Sequence, residues 1–242
     1  MQSSNFKFRV AEDQPQSDHI LEAVYRLRYQ VYVNEWGFES PEDHPGGLEK
    51  DDYDEHSRHF YAYTGAEDNV IGTARIILGS KGVFPIEHHF NVCDFPPGTA
   101  RHQIAEISRL AISKEFRRRE IDQVIFNSGE LPLKELEQNQ EQTKSRKHER
   151  RKCEHELIRG IYLLTYHESV KLGLTHWVAV MAKGLQIILK RWGIPFEQIG
   201  PAKEYHGVRA PFLLSIRNLE NNLEKKNPEL LKFAKQEFSG MT

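Results

Sequence analysis

The chain has 242 residues, 33 Lys and Arg against 35 Asp and Glu, a formal net charge of -2, and 38% hydrophobic and 28% charged residues. This length suits one large domain or two small ones with room for a sizeable core. The charge balance excludes a global pull toward nucleic acid or membrane, so an electrostatic partner must be met by a local patch.

The N-terminus, Met1-Gln2-Ser3-Ser4-Asn5, has no basic start and no apolar stretch, so no secretory signal is expected. No apolar run reaches the ~18 residues that span a bilayer. Two distant cysteines, Cys93 and Cys153, suggest neither a disulfide framework nor a zinc knuckle and fit a reducing cytoplasm.

Phe6, Phe8 and Val10 alternate and predict a first strand. Ser17 or Asp18 then caps a helix whose buried face is Ile20, Val24, Leu27 and Val31. Arg28 and Tyr32, four apart, share one face of it. Taken alone, Arg28 reads as a solvent-facing helix charge. Glu39 to Gly47 is a loop rich in Pro, Gly and acid. It runs into Glu49-Lys50-Asp51-Asp52-Tyr53-Asp54-Glu55, a carboxylate cluster that is either a solvated surface or a site for a cation or amine. It lacks the alternating oxygens and central glycine of a calcium loop.

His59 to Tyr63 and Val70 to Leu78 flank Gly65-Ala66-Glu67-Asp68-Asn69 as a hairpin. Arg75 lies inside the second strand, where an unpaired charge is costly, so the upstream carboxylates are expected to pair with it. Pro85 to Gly98 reads as irregular. His88-His89 has no carboxylate or cysteine at ligand spacing, so no metal is expected.

Ala105 to Ile112 is a short apolar run carrying Glu106, Ser108 and Arg109. Strand alternation puts Glu106, Ser108 and Leu110 on one face and Ile107 and Arg109 on the other, unless a bulge re-aims one of them. The ordinary alternative is an edge strand with a solvated polar face. Phe116-Arg117-Arg118-Arg119 follows as a compact basic patch. Residues 131–152 are almost wholly polar, so about 120–155 is expected to be a charged insertion that is mobile or a solvated helix end. Its basic half, Lys144 to Lys152, has no ring for stacking bases, and no nucleic-acid role is expected.

Order is expected again from Glu156. Leu157, Ile161 and Leu164 are helix-spaced, His176 to Met181 is a buried strand, and Leu185, Ile188, Leu189 and Trp192 face a helix closed by Gly193 and Pro195. Phe212 to Ile216 is a late strand, and one helix is expected over about 218–238. The order of elements predicts an α/β (α+β) chain, with a mixed central sheet flanked by helices on both faces in one domain over 1–242.

Four spaced pieces now stand in order: Arg28-x3-Tyr32-x5-Phe38, Glu49-x-Asp51-x-x-Asp54, Gly72-x-x-Arg75 and Glu106-x-Ser108-Arg109. Together, over roughly residues 20 to 112, they resemble the acyl-homoserine-lactone (autoinducer) synthases and the related N-acyl amino acid synthases. The charged insertion and the length also resemble the acyltransferases associated with the exosortase/PEP-CTERM sorting system. The resemblance implies a GNAT acyltransferase fold, an acyl thioester donor and an amine acceptor. It implies Glu106, Ser108 and Arg109 as the catalytic-strand residues. It implies Arg28, Asp51, Asp54 and Arg75 as an electrostatic cluster around the acceptor, with Tyr32, Trp36 and Phe38 as its aromatic positions. The family's usual Phe is Tyr32 here and its usual Trp is Phe38, with Trp36 two residues earlier. GNAT proteins also carry a glycine-rich turn after the central strand for the coenzyme A pyrophosphate. Here Glu115-Phe116-Arg117-Arg118-Arg119 has no glycine, which favours acyl carrier protein over coenzyme A as donor.

An amine attacking a thioester must lose a proton, and an α-amino group of pKa about 8 is largely protonated near neutrality. Glu106 is the candidate base. Ser108 could hydrogen-bond the acyl carbonyl or the leaving thiol, whereas Arg109 and Arg75 are expected to organise the site by pairing with Asp51 and Asp54. Splayed parallel strands at 105–112 and 176–181 would offer backbone N–H groups to the oxyanion. Arg117, Arg118 and Arg119 are candidates for a basic rim that meets an acidic carrier protein, unless they are simply a solvated run. Trp177, Val178, Val180 and Leu185 are candidate lining for the acyl chain. The expected function is an N-acyltransferase moving a fatty acyl group from acyl-acyl-carrier protein, or acyl-CoA, to the amine of a small acceptor such as an amino acid. The alternatives are an acyl-homoserine-lactone synthase using S-adenosylmethionine, or a non-catalytic module that binds acyl carrier protein. No tightly bound cofactor is expected.

Overall fold

The computed structural model describes residues 6–11, 18–92, 96, 98–117 and 141–236, without the side chains of 81 and 141–151. The expectations for Ser17, Cys93, Arg118, Arg119, the first part of the insertion and Phe238 lie outside the described residues.

Among the described residues the chain forms β1 (Lys7–Ala11), α1 (Asp18–Tyr29), β2 (Ser57–Tyr63), β3 (Val70–Leu78), α2 (Pro85–His89), β4 (Ile104–Ile112), α3 (Glu141–Lys171), β5 (His176–Met181), α4 (Lys183–Arg191), β6 (Glu197–Gln198), β7 (Lys203–Glu204), β8 (Val208–Ser215), α5 (Ile216–Lys226) and α6 (Pro228–Gln236). The strands make one sheet in the order β1-β2-β3-β4-β5-β8-β6, with β7 also on β8. β4 and β5 are parallel, and the other pairs are antiparallel.

Strand alternation sorts the core into two layers. On β2, Phe60 and Ala62 join the large cluster that holds Leu157, Ile161 and Leu164 of α3. Tyr61 and Tyr63 face the other way, onto Ile20 and Val24 of α1. Leu185 and Leu189 of α4 and Leu219, Leu223, Leu231 and Ala234 near the C-terminus share the α3 side. Phe84 and Ile86, at the start of α2, pack with Ile77, Ile104 and Val178 in a separate cluster. The expected mixed sheet with helices on both faces is what forms.

Four local differences have plain causes. The helix is already present at Glu141, ahead of the expected Glu156, because residues 141–159 hold no Gly or Pro and are rich in Glu, Gln, Lys and Arg, which favour helix without a core. The single C-terminal helix is two, because Pro228 cannot donate into a preceding turn and Asn227 leaves the helical region at φ -157. Residues 85–98 are not wholly irregular: Pro85 opens α2, and the Glu87 carboxylate accepts from the Phe84 N–H at 2.7 Å. Finally, β6 and β7 are two exposed residues each, too short for an apolar alternation to announce them.

Gly79 sits where β3 leaves the sheet. A Cβ there would lie 2.3 Å from the Arg101 carbonyl oxygen and 2.9 Å from that of Ile104. Both are backbone atoms that cannot turn aside, so Gly79→Ala should cost about 1–3 kcal/mol in a urea unfolding experiment.

Among the described residues no helix is long and apolar enough to cross a membrane, and no group of three or more His, Cys, Asp and Glu is placed to hold a metal ion.

Candidate active site

β4 is the centre of the site. Its first half pairs with β5 from Ile104↔His176 to Ile107↔Ala179, and there the ladder ends. From Ser108 onward β4 leaves β5 and a gap opens. On the other side, Arg75 pairs with Ser108 and Thr73 with Ala111, so Ala74 faces both Arg109 and Leu110. This is a β-bulge, and Arg109 carries it with φ 53, in the left-handed region that non-glycine residues rarely adopt. Simple alternation had put Arg109 on the face opposite Glu106. The bulge turns it back to the α1 side, where Glu106, Ser108 and Arg75 already point.

Glu106 is 3% exposed. Its Oε2 accepts one hydrogen bond, 2.9 Å from the Ile86 N–H at the start of α2. Burial pushes its carboxyl up to about 8, against the Ile86 N–H and Arg75, which both favour the anion. A carboxylate poised there exchanges a proton near neutral pH.

The arginines form one network with the acidic loop. Arg28, wholly buried on α1, makes a two-pronged contact with Asp54, Nη1–Oδ1 2.7 Å and Nη2–Oδ2 3.1 Å, and its Nε donates to Glu49. Arg75 forks onto Asp51 at 2.6 and 2.7 Å, also donates to Asp54, and its Nε donates to Ser108 Oγ at 2.9 Å. Arg109 donates to Glu49 at 3.0 Å, Glu39 at 3.1 Å and Asp51 at 3.2 Å. So Arg75 pairs with Asp51 and Asp54 as expected, while Arg109 takes Asp51 but reaches Glu49 and Glu39 instead of Asp54. Glu49, Asp51 and Asp54 are therefore no solvated surface, although Asp52 and Glu55 of the same run are exposed, and Arg28 is no solvent-facing charge. Burial alone would raise Asp54; Arg28 and Arg75 outweigh it and hold its carboxyl well below the ordinary range. Glu49 and Asp51 are held low in the same way, by Arg28 and Arg75 respectively, each with Arg109.

These elements enclose a cavity of about 200 Å³. Glu106, Ser108, Arg109, Arg75 and Asp51 line its polar side, and Tyr32 and Phe38 its aromatic side. Tyr32 donates to the Leu110 carbonyl at 2.8 Å, tying the segment after α1 to the bulge. Trp36 stacks on Phe38 with centroids 5.9 Å apart and stands behind it, outside the lining. Arg28 and Asp54 support the cavity wall from behind. Of the expected acyl lining, Val180 and Leu185 reach the cavity; Trp177 and Val178 are core.

Arg117 is a correction. It does not stand on a basic rim: it is 4% exposed, ion-paired to Glu35, with its guanidinium 5.6 Å from the Trp36 ring. A cation that close to a carboxylate and a ring face is drawn inward. It ties the end of β4 to the segment after α1.

Several residues at the site were not singled out from sequence. Glu39 is one of them, and Glu49, the first residue of the acidic motif, was assigned no role. Tyr53, His89, Tyr205, His206 and Arg209 also line the cavity. Tyr205 and His206 come from the turn between β7 and β8, and Arg209 from the start of β8, a stretch with no apolar pattern to announce it.

A sheet whose parallel pair parts beside a buried carboxylate, with a bulged central strand, defines the GNAT acyltransferase fold. Residues 27–127 of this chain match the family model described as an acetyltransferase (GNAT) domain. The whole chain is similar in fold to the AHL synthase LasI (18% identity, TM-score 0.56, covering 88% of this chain and 91% of LasI). It is similar to BjaI, a CoA-dependent acyl-homoserine lactone synthase solved with SAM and isopentyl-CoA (16%, 0.56, covering 91% and 88%). It is also similar to FeeM, an N-acyl amino acid synthase from uncultured soil microbes (12%, 0.50, covering 91% and 96%). Sequence comparison with curated proteins finds no match.

Proposed function

We propose that this protein is an N-acyltransferase that moves a fatty acyl group from the thioester of acyl carrier protein to the amine of a small acceptor such as an amino acid. The observation that carries this reading is Glu106: a buried carboxylate, pushed up to about 8, facing a cavity at the point where β4 and β5 part. Glu106 takes a proton from the attacking amine, directly or through one water. The tetrahedral oxyanion is met by backbone N–H groups in the gap beyond Ile107. Ser108 accepts from Arg75, which leaves its own proton to donate toward the acyl carbonyl or the departing sulfur. Arg109 and Arg75 hold the acidic loop against the strand and stay out of proton transfer.

The turn after β4 supports a carrier protein as donor. Between Ser113 and Arg117 it is closed by Phe116, whose N–H donates to the Ser113 carbonyl and whose ring meets Phe6 edge-on at 5.6 Å. Phenylalanine and a buried arginine occupy the place where a pyrophosphate would want a glycine-rich cradle. BjaI, solved with SAM and isopentyl-CoA, makes S-adenosylmethionine a second acceptor and coenzyme A a second carrier to weigh. The changed aromatic positions Tyr32 and Phe38 and the polar insertion favour a non-lactone amine.

The test is mass spectrometry of products from acyl-acyl-carrier protein and acyl-CoA, each offered amino acids and S-adenosylmethionine. An N-acyl amino acid formed faster from the carrier protein is expected. A lactone product, or equal rates from acyl-CoA, would overturn the acceptor or the donor assignment.

A further inference from the structure

Glu106 receives its one hydrogen bond from a short element. The donor is the Ile86 N–H, and α2 has only five residues, too few to hold its own shape. Something outside must keep that N–H aimed. Glu87 accepts from the Phe84 N–H at 2.7 Å and receives the Arg101 guanidinium in a fork, with Nη1–Oε1 at 2.9 Å. Arg101 also donates twice to the Gly82 carbonyl, at 2.9 and 2.7 Å, and its guanidinium lies 4.6 Å from the Phe84 ring. Arg101 stands just before β4, five residues ahead of Glu106 in the same chain. One arginine thus ties residues 82–87 to the root of the strand that carries the carboxylate. Neither Glu87 nor Arg101 lines the cavity.

We propose that the Glu87–Arg101 pair is a positioning device for Glu106, holding the Ile86 N–H on its carboxylate from outside the cavity. Its consequence for turnover rests on reading Glu106 as the base; its consequence for the carboxylate itself does not. A donor aimed at the anion favours the anion, so loosening α2 must shift Glu106 toward its acid form. The other groups around Glu106 are Arg75 from β3, Arg109 from β4, Tyr53 from the acidic loop, Tyr205 from the β7–β8 turn and His89 from α2. Arg75, Arg109, Tyr53 and Tyr205 lie outside α2, and the charge of Glu87 also raises Glu106, so its loss opposes the shift that a loosened donor causes.

Arg101→Ala alone would confuse two effects, because it also exposes Glu106 to an uncompensated Glu87. The double variant Arg101→Ala/Glu87→Gln removes the ion pair at constant net charge. The measurement is an infrared titration of the Glu106 carboxyl without substrate, taken as the difference from the same background carrying Glu106→Gln. The double variant should titrate up to about one pH unit higher than the native protein, because losing one hydrogen bond to a charged acceptor outweighs the loss of the Glu87 charge, which by itself lowers the carboxyl. Its kcat/KM at neutral pH should fall about ten-fold and recover as pH rises, which a merely structural role would not produce. An unchanged Glu106 titration in the folded double variant overturns the proposal. Should that variant fail to fold, Arg101→Lys keeps the charge but loses the fork: a smaller upward shift supports the proposal and no shift overturns it. A shifted titration in a protein that acylates no amine leaves the positioning role standing and removes the base assignment instead.

Discussion

Glu106→Gln is expected to lower kcat by about 10²–10⁴-fold with an acyl-carrier donor, the usual range for losing a general base. The fold should survive, because glutamine keeps an oxygen to accept the Ile86 N–H and the side chain is the same size. The native rate should rise with pH toward and above about 8, where the Glu106 carboxylate forms, and the variant should lack that rise. An α-amino nucleophile titrates in the same range. An acceptor amine of lower pKa therefore separates the enzyme's titration from the substrate's. Unchanged turnover in the variant would remove Glu106 from the chemistry.

The second large effect is on stability. Asp54→Asn should destabilise the protein by about 3–5 kcal/mol at pH 7 by urea unfolding, because it leaves Arg28 and Arg75 buried against a neutral amide. The pH dependence follows from the direction of the shift. The Asp54 carboxyl is held below its unfolded value of 3.8. Between pH 3.8 and the lower folded value the unfolded chain binds a proton that the native state does not. The contribution of Asp54 is therefore complete above about pH 4 and is lost as pH falls through the folded value. The gap between native and variant should accordingly narrow on acidification below pH 4. A gap that stays constant down to pH 2 would show that the ion pair is not its source.

Both effects come from one decision by the fold, to bury a charged network between α1 and the sheet and to place one carboxylate beside it. The network also explains why the polar residues of β4 do not make it an edge strand. Ser108 is held by Arg75, Arg109 by three carboxylates and Glu106 by α2, so each polar group on this central strand has a partner.

Much of this was legible in the order of residues. Alternation in Phe6 to Val10 and in the hairpin strands, helix spacing in Ile20 to Val31 and Leu157 to Leu164, and the apolar run at His176 to Met181 are local patterns. Local patterns suffice to set elements and their buried faces. The expectation that Arg75 must find the acidic loop followed from cost alone, since a buried charge without a partner is too unfavourable to persist. Nothing local, in contrast, marks where a strand bulges. Arg109 takes φ 53 because Tyr32, Glu49 and Asp51 hold it there, and those residues lie 58 or more positions away in sequence. Arg117 reads as a surface cation among its sequence neighbours but is buried where Glu35 and Trp36 reach it across the fold. The Ile86 N–H on Glu106 and the cavity wall from Tyr205 to Arg209 are likewise contacts between distant segments. By itself, then, the sequence determined the elements, their faces and the chemical types present. The tertiary structure decided which charges meet, how far β4 and β5 part and how strongly Glu106 holds its proton, because desolvation and charge pairing depend on separations in space that sequence spacing does not encode.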